Sequence, residues 1–351
     1  MFNFVNQWKT PYQIISFIVF LAVGVFFLVK FCDIFVDSAS AIAKKLRVSP
    51  LVIGLTVVAM GTSCPELAVS VSDSIATLIN GGNANVAIGN VVGSNICNIL
   101  LVLGLSALFT PMVVKKSIIK RELPILLGVS VLLVIFGCFF GTSTSKYAIV
   151  RWEAIIFVFL IIAYLAYVVI SAKKEAKDLS SFEKTDEITI KDMPIWKSII
   201  LCIIGIGGIV LGGELVVSGA KGLATEGALA IGLDKDLTEA LVGLTIVAVG
   251  TSLPELVTSV IAAKKGENEL AIGNVVGSNI FNILFILGIA GTVNPLTTGG
   301  QIVVDLLVML GVSVLLFILS LRERLSKRHG IVLLGCYVSY LTYLIVRTVV
   351  A

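Results

Sequence analysis

Two glutamates, Glu66 and Glu255, stand 189 positions apart in near-identical apolar segments, "GLTVVAMGTSCPEL" (54–67) and "GLTIVAVGTSLPEL" (243–256). The copies agree at 11 of 14 positions. A carboxylate in hydrocarbon costs at least about 2.5 kcal/mol even on the mildest scales, so it normally faces a polar cavity. On a helix turning about 100° per residue, Ala59, Thr62, Ser63 and Glu66 share one face and Cys64 points away. Ala248, Thr251, Ser252 and Glu255 repeat that face, so each copy offers one charge and two hydroxyl oxygens. Pro65 and Pro254 cannot donate to the helical ladder and clash with the carbonyls of Gly61 and Gly250 four positions back. The carbonyls around Ala59 and Ala248 are therefore expected to be free as further oxygen ligands. Irregular backbone is tolerated at membrane depth where it lines a cavity.

A second pair of segments, "AIGNVVGSNICNILLVLG" (87–104) and "AIGNVVGSNIFNILFILG" (271–288), is identical at 15 of 18 positions. It adds Ser94 with Asn98 and Ser278 with Asn282, each an i,i+4 pair sharing a helix face. Gly89, Gly93, Gly273 and Gly277 allow close helix approach, while Asn90, Asn95, Asn274 and Asn279 are expected to hold the broken helices together. Carboxylates, hydroxyls, amides and carbonyls are all hard oxygen donors. They suit Ca²⁺, which takes about six to eight oxygens, and also Na⁺. The pattern predicts two carboxylates, one from each copy, neutralising one divalent ion. The single histidine, His329, lies in a loop with Arg322, Arg324, Lys327 and Arg328, which excludes a His-based zinc or copper site. No nucleophile–base pair is evident, so an enzyme is not expected, and no cofactor is implied beyond the transported ions.

The elements that must position these residues are membrane spans. Of 351 residues, 57% are hydrophobic and 14% charged, with a mean hydropathy of +1.06; soluble domains carry about 25% charged residues. The apolar runs predict ten spans, at 12–43, 50–79, 84–109, 123–141, 152–171, 196–220, 238–263, 269–290, 302–320 and 330–348. The N-terminal run is long enough to span and has no features of a cleavable signal peptide. With the N-terminus outside, the inner loops hold 19 Lys and Arg against 6 in the outer loops and termini. The positive-inside rule then places both termini outside. The net charge of +4 anchors the cytoplasmic face and implies no nucleic acid. The six cysteines all fall within spans, form no CxxC pair and read as small packing residues.

The duplication extends further, since "GVSVLL" occurs at 128–133 and again at 311–316. Five spans per half is an odd number, so the second half crosses the membrane in the opposite sense. The expected fold is an all-α polytopic membrane protein of ten transmembrane helices in two inverted-topology five-helix repeats. The ion site then falls near the midplane where the halves meet. Residues 1–171 form the first repeat, the mixed-charge segment 172–196 a cytoplasmic linker, and 197–351 the second repeat. Gly24 in the first span, and Gly205, Gly207, Gly208, Gly212 and Gly213 in the sixth, are expected to leave smooth faces that slide over their neighbours. Lys30, Asp33, Asp37 and Glu214 are expected as anchors or mouth residues rather than ligands.

The GTSxPE and GNVVGSNIxN motifs resemble the two alpha-repeats of the cation/calcium antiporter superfamily, most closely its prokaryotic sodium/calcium exchanger branch. The resemblance covers essentially the whole chain. It implies eight helices in a compact core with the first and sixth lying across it as a sliding gate, and exchange of cytoplasmic Ca²⁺ for extracellular Na⁺ across the cell membrane. It also implies ligand roles for Glu66, Glu255, Thr62, Ser63, Thr251, Ser252, Ser94, Ser278, Asn98 and Asn282, with the carbonyls of Ala59 and Ala248. One departure stands out, because members of this branch often carry Asp where this chain has Asn282. A proton/calcium antiporter would use the same two glutamates as proton carriers. A channel is disfavoured by the inverted repeat. The expected partners are the lipid bilayer and the ions, with no obligate protein partner.

Overall fold

The computed structural model describes residues 10–46, 48–81, 86–139, 147–179, 193–230, 248–297 and 300–350. The chain is helical almost throughout: α1 Thr10–Leu46, α2 Pro50–Thr62, α3 Cys64–Asn80, α4 Val86–Phe109, α5 Ile118–Phe139, α6 Arg151–Leu179, α7 Ile195–Ala230, α8 Ala248–Thr251, α9 Leu253–Lys264, α10 Asn268–Val293, α11 Gly300–Ser320 and α12 Lys327–Val350. Among the described residues, eight helices are long and apolar enough to cross a membrane, and the bent pair α2–α3 makes a ninth. The pair α8–α9 is broken at the equivalent serine. The start of its span, 238–247, lies outside the described residues, as does 180–192 of the expected linker. α6 runs on to Leu179, so the linker region begins as a continuation of that helix.

Polarity is arranged inside out, as lipid requires. Large apolar side chains such as Phe139, Phe159 and Val338 face outward, while Glu66, Glu255, Asn98 and Asn282 are fully buried. α4 and α10, which carry the second motif, form the centre of the molecule, and α10 is buried along almost its whole length.

Two small antiparallel pairings display the inversion. β1 (Met112–Val113) pairs with β4 (Arg324–Leu325), and β2 (Ala148–Ile149) pairs with β3 (Leu296–Thr297). The single helix α5, 22 residues and so about 33 Å long, separates β1 from β2. The two sheets therefore lie at opposite ends of the bundle. Each joins a loop of one half to a loop of the other, as an internal two-fold requires. Ser130 and Ser313, matching residues of the "GVSVLL" echo, meet at 3.4 Å. Equivalent residues in contact must straddle the axis.

α1 and α7 cross the core and lie against each other along most of their length. The glycines expected to provide sliding faces serve mainly this mutual contact. A Cβ on Gly212 would come within 2.8 Å of Leu28 N and 3.0 Å of Gly24 O, and one on Gly205 within 2.8 Å of Phe35 Cβ. Gly208 is covered by the Phe31 ring, whereas Gly213 faces Pro254. Only on the opposite side does α7 meet the core breaks: Ile206 presses on Gly61 and Val217 on Gly250. Ile206 and Val217 are three helical turns apart, so one stripe of α7 overlies both halves. Toward its C-terminal end α1 is tied to the core by Lys265, which bonds Asp33 and Asp37 at 2.5 Å. Those two aspartates thus serve as anchors, away from the buried glutamates.

Because the α1–α7 contact is backbone against backbone, Gly212→Leu is expected to cost about 1–3 kcal/mol through overpacking. The readout is a melting temperature in detergent lowered by several degrees. Gly207→Leu, at an exposed position with no neighbour within 4 Å among the described residues, should leave it unchanged.

Candidate functional site

Each half breaks a helix at one serine. Ser63, between α2 and α3, has φ −84° and ψ 10°; Ser252, between α8 and α9, has φ −87° and ψ 5°. Proline two residues on withholds its N–H, and α2 and α3 diverge by 49°. Glu66 and Glu255 sit in the first turn of the new helices, where the dipole favours negative charge. The S-x-x-E spacing is that of a capping box, yet neither serine caps its own helix. Ser63 Oγ instead donates across the interface to Glu255 Oε1 at 3.0 Å. Ser94 Oγ donates to Glu66 Oε1 at 3.3 Å. The two carboxylates lie within electrostatic reach of each other. Among the described residues neither is salt-bridged.

The remaining expected residues gather around this pair. Thr62 Oγ1, with one hydrogen to donate, lies 3.1 Å from both Val58 O and Asn274 Oδ1. Thr251 faces Glu66, and Thr62 and Ser278 face Glu255. Ser252 is buried, with its hydroxyl beside the Cys97 thiol. The Ala59 carbonyl is not freed by Pro65, because it still accepts Ser63 N–H at 3.1 Å. The proline acts four residues back, on Gly61, so Ala59 keeps one lone pair, toward which Ser278 Oγ points at 3.5 Å. Ala248 is placed as the first residue of α8, and the five residues before it lie outside the described residues. Asn98 and Asn282 each begin a five-residue π-helical turn, Asn98–Val102 and Asn282–Ile286. Since the wider turn starts at the asparagine itself, the α-helical spacing from Ser94 and Ser278 is kept, and the irregular backbone falls beyond the site.

Four more asparagines complete the constellation. Asn90 Nδ2 donates to Glu66 O at 3.3 Å and Ser70 Oγ at 3.1 Å; Asn274 Nδ2 donates to Glu255 O at 3.5 Å and Ser259 Oγ at 2.9 Å. Both clamp the turn that carries the glutamate. Asn95 and Asn279 instead join α4 to α10, each donating to the other's backbone carbonyl at 3.2 Å. The expectation that these four hold broken helices together is met by Asn90 and Asn274, whereas Asn95 and Asn279 tie the two halves to each other. Asp73 is a structural cap, its Oδ2 accepting from Ala87 N at the start of α4 at 3.1 Å.

After these bonds are assigned, Glu66 Oε2, Glu255 Oε2, Asn98 Oδ1 and Asn282 Oδ1 remain buried acceptors without a donor. Paired carboxylates at matched breaks of two inverted halves define a secondary antiporter for cations. The family model "Sodium/calcium exchanger protein" matches residues 16–171 and 197–346, flanking 172–196. The putative antiporter CaxA of Alkalimonas amylolytica is 36% identical over 330 residues, 92% of this chain and 96% of its own length. Sodium/calcium exchanger MaX1 of Methanosarcina acetivorans is 36% identical over 358 residues, covering 94% and 98%. A solved structure of the sodium-calcium exchanger NCX_Mj, soaked with zero Na⁺ and Ca²⁺, matches with a TM-score of 0.76 at 31% identity, covering 94% of this chain and 99% of its own. The chain belongs to the sodium/calcium exchanger family and is a membrane antiporter, not an enzyme.

Asn274 engages three buried groups and links the two halves through Thr62, while Asn90 is half-buried and acts within one half. Asn274→Ala is therefore expected to lower thermal stability by an amount corresponding to about 1–3 kcal/mol, and Asn90→Ala by less. Melting curves of the two variants in one detergent compare them directly; the reverse order would refute the weight given to the Thr62 link.

Proposed function

We propose that this chain exchanges Ca²⁺ for Na⁺ across the cell membrane by alternating access. The ions take the cage of Glu66, Glu255, Thr62, Ser63, Thr251, Ser252, Ser94, Ser278, Asn98 and Asn282, with the carbonyls of Ala59 and Ala248. Both termini lie outside, the segment 172–196 faces the cytoplasm, and residues 1–171 and 197–351 are the two repeats. The observation that carries this reading is the pair of fully buried carboxylates, one per half, with unpartnered Oε2 atoms beside the unpartnered Oδ1 atoms of Asn98 and Asn282. Two adjacent charges in a dry site require two positive charges, and one Ca²⁺ or two Na⁺ supply them. The sodium/calcium exchangers among the relatives support this choice of ions. Two protons would satisfy the same balance, so the paired glutamates also support a second reading, H⁺/Ca²⁺ exchange. ⁴⁵Ca²⁺ uptake into proteoliposomes, driven in turn by outward Na⁺, K⁺ and H⁺ gradients, decides between them. Uptake with Na⁺ alone is the expected result.

Glu66→Gln and Glu255→Gln should each abolish Ca²⁺ transport while the protein still folds. A single remaining carboxylate leaves a dehydrated divalent ion half-neutralised where the dielectric is low. Robust exchange by either variant, measured as ⁴⁵Ca²⁺ flux, would remove that residue from the site.

Neutrality alone favours two Na⁺, but the neutral oxygens around the two carboxylates suffice for a third and the family resemblance favours three, so exchange of more than two Na⁺ per Ca²⁺, and hence a net charge movement, is expected. Clamping the membrane potential should change Na⁺-driven Ca²⁺ flux; a voltage-independent flux overturns the stoichiometry. Asn282→Asp should retain transport but become sensitive to acid or to K⁺. Asn282 Nδ2 donates to Asn95 Oδ1 at 3.0 Å, and a carboxyl can replace that donor only when protonated. A variant indistinguishable from the parent would show that position 282 does not face the ions.

A further inference from the structure

An asparagine amide presents an oxygen on one side and an NH₂ on the other, and only the oxygen can hold a cation. Asn98 and Asn282 therefore serve the cage in one of their two orientations and oppose it in the other. The structure contains a device that selects between them, and the selection follows from one group whose role cannot change. A backbone carbonyl can only accept. Asn95 Nδ2 lies 3.2 Å from Asn279 O, and Asn279 Nδ2 lies 3.2 Å from Asn95 O. Asn95 Nδ2 also faces Met309 Sδ, a second acceptor, at 3.8 Å. With the NH₂ groups of Asn95 and Asn279 committed to these carbonyls, their Oδ1 atoms must point the other way.

Each of those oxygens then meets the next amide across the axis. Asn98 Nδ2 donates to Asn279 Oδ1 at 3.0 Å, and Asn282 Nδ2 donates to Asn95 Oδ1 at 3.0 Å. Turning either outer amide over would set oxygen against oxygen in a fully buried site, which forfeits the bond and leaves two acceptors unsatisfied. The four amides thus form a closed two-fold ring of donors and acceptors with one satisfied arrangement. In that arrangement the atoms left over are Asn98 Oδ1 and Asn282 Oδ1, both buried and without a donor.

We propose that Asn95 and Asn279 are positioning residues for ion binding: locked by each other's backbone carbonyl, they orient the amides of Asn98 and Asn282 so that oxygen, never NH₂, faces the ion. The proposal rests on the reading of Asn98 and Asn282 as ligands. Asn95 and Asn279 need not touch an ion to set its affinity. The ring joins α4 to α10 at the internal axis, away from the crossing helices α1 and α7. It can therefore keep the same ligand oxygens presented whichever side is open.

The test is a double-mutant cycle on the purified full-length protein in proteoliposomes, at alkaline pH, reading the KM for Ca²⁺ alongside the maximal rate. Asn279→Leu removes the acceptor that orients Asn98 and should raise the KM for Ca²⁺ by about tenfold or more. In an Asn98→Asp background either carboxylate oxygen can serve, so orientation no longer matters, and Asn279→Leu should not raise the KM. An equal rise in both backgrounds, or no rise in the parent chain, overturns the proposal, since a packing defect would not distinguish an amide from a carboxylate. Asn98→Ala separates the underlying reading. If it leaves the KM unchanged, Asn98 is no ligand and both claims fall; if it raises the KM while the cycle shows no coupling, only the positioning claim falls. Should Asn279→Leu not fold, the milder Asn279→Ala and the mirrored cycle of Asn95→Leu against Asn282→Asp give the same readout. If none of these variants folds in either background, the proposal is overturned, because holding the halves together is then the principal role of the ring.

Discussion

Two carboxylates held in a membrane interior with no basic partner among the described residues constrain everything around them. Glu66 and Glu255 are fully buried, and hydroxyls face each of them, with Ser94 donating to Glu66 and Ser63 to Glu255. Such a pair is unfavourable unless the surroundings are polar and a cation can enter. The broken helices meet the first need. At Ser63 and Ser252 the chain stops one helix and starts another, which brings an N-terminal dipole and hydroxyl oxygens to the same point.

The break also frees the serine from its local duty. A serine three residues before a glutamate would ordinarily cap the helix they begin. Here Ser63 reaches the glutamate of the other half instead, and the task of steadying the first turn passes to Asn90 and Asn274, which grip Glu66 O and Glu255 O from the neighbouring helices. Each half thereby supplies part of the other's site, and neither half is complete alone. The asparagine ring between α4 and α10 applies the same logic at the axis, with each of its bonds running from one half to the other. Such hydrogen-bonded networks rigidify a core, and this one leaves the Oδ1 atoms of Asn98 and Asn282 open.

Rigidity at the centre contrasts with the surface that α7 presents to it. Glycine contacts join α1 and α7 closely, backbone to backbone. Against the core, α7 lays the side chains of Ile206 and Val217 over the glycines at the two breaks and Gly213 over Pro254. Apolar side chains on glycine form no directional bond, so this interface offers little resistance to sliding. Polar contacts hold α1 toward its C-terminal end: Lys265 with Asp33 and Asp37, and Cys32 Sγ with Thr258 Oγ1.

The sequence alone determined the membrane class, the duplication, its inversion and the residues that meet at the centre. Those properties are carried by local signals: apolar runs, the odd number of them expected in each half, and a carboxylate in hydrocarbon that has no stable place except a polar cavity. Only the tertiary structure decided the pairings. Nothing local distinguishes Ser63 as a partner for Glu255 from Ser63 as a helix cap, because both use the same oxygen and the choice depends on what the other half brings near. The same holds for the glycines of α1 and α7, whose spacing marks a close contact without naming the surface on the far side. Ala59 shows the converse: its carbonyl keeps its helical bond from Ser63, because a proline frees the carbonyl four residues before it and no other. Even the chemical identity of the atom that Asn98 and Asn282 present is a tertiary fact. The amide can turn either way, and the side-chain oxygen that settles it, of Asn279 for Asn98 and of Asn95 for Asn282, belongs to a residue more than about 180 positions distant, brought within reach only when the two halves close around their axis.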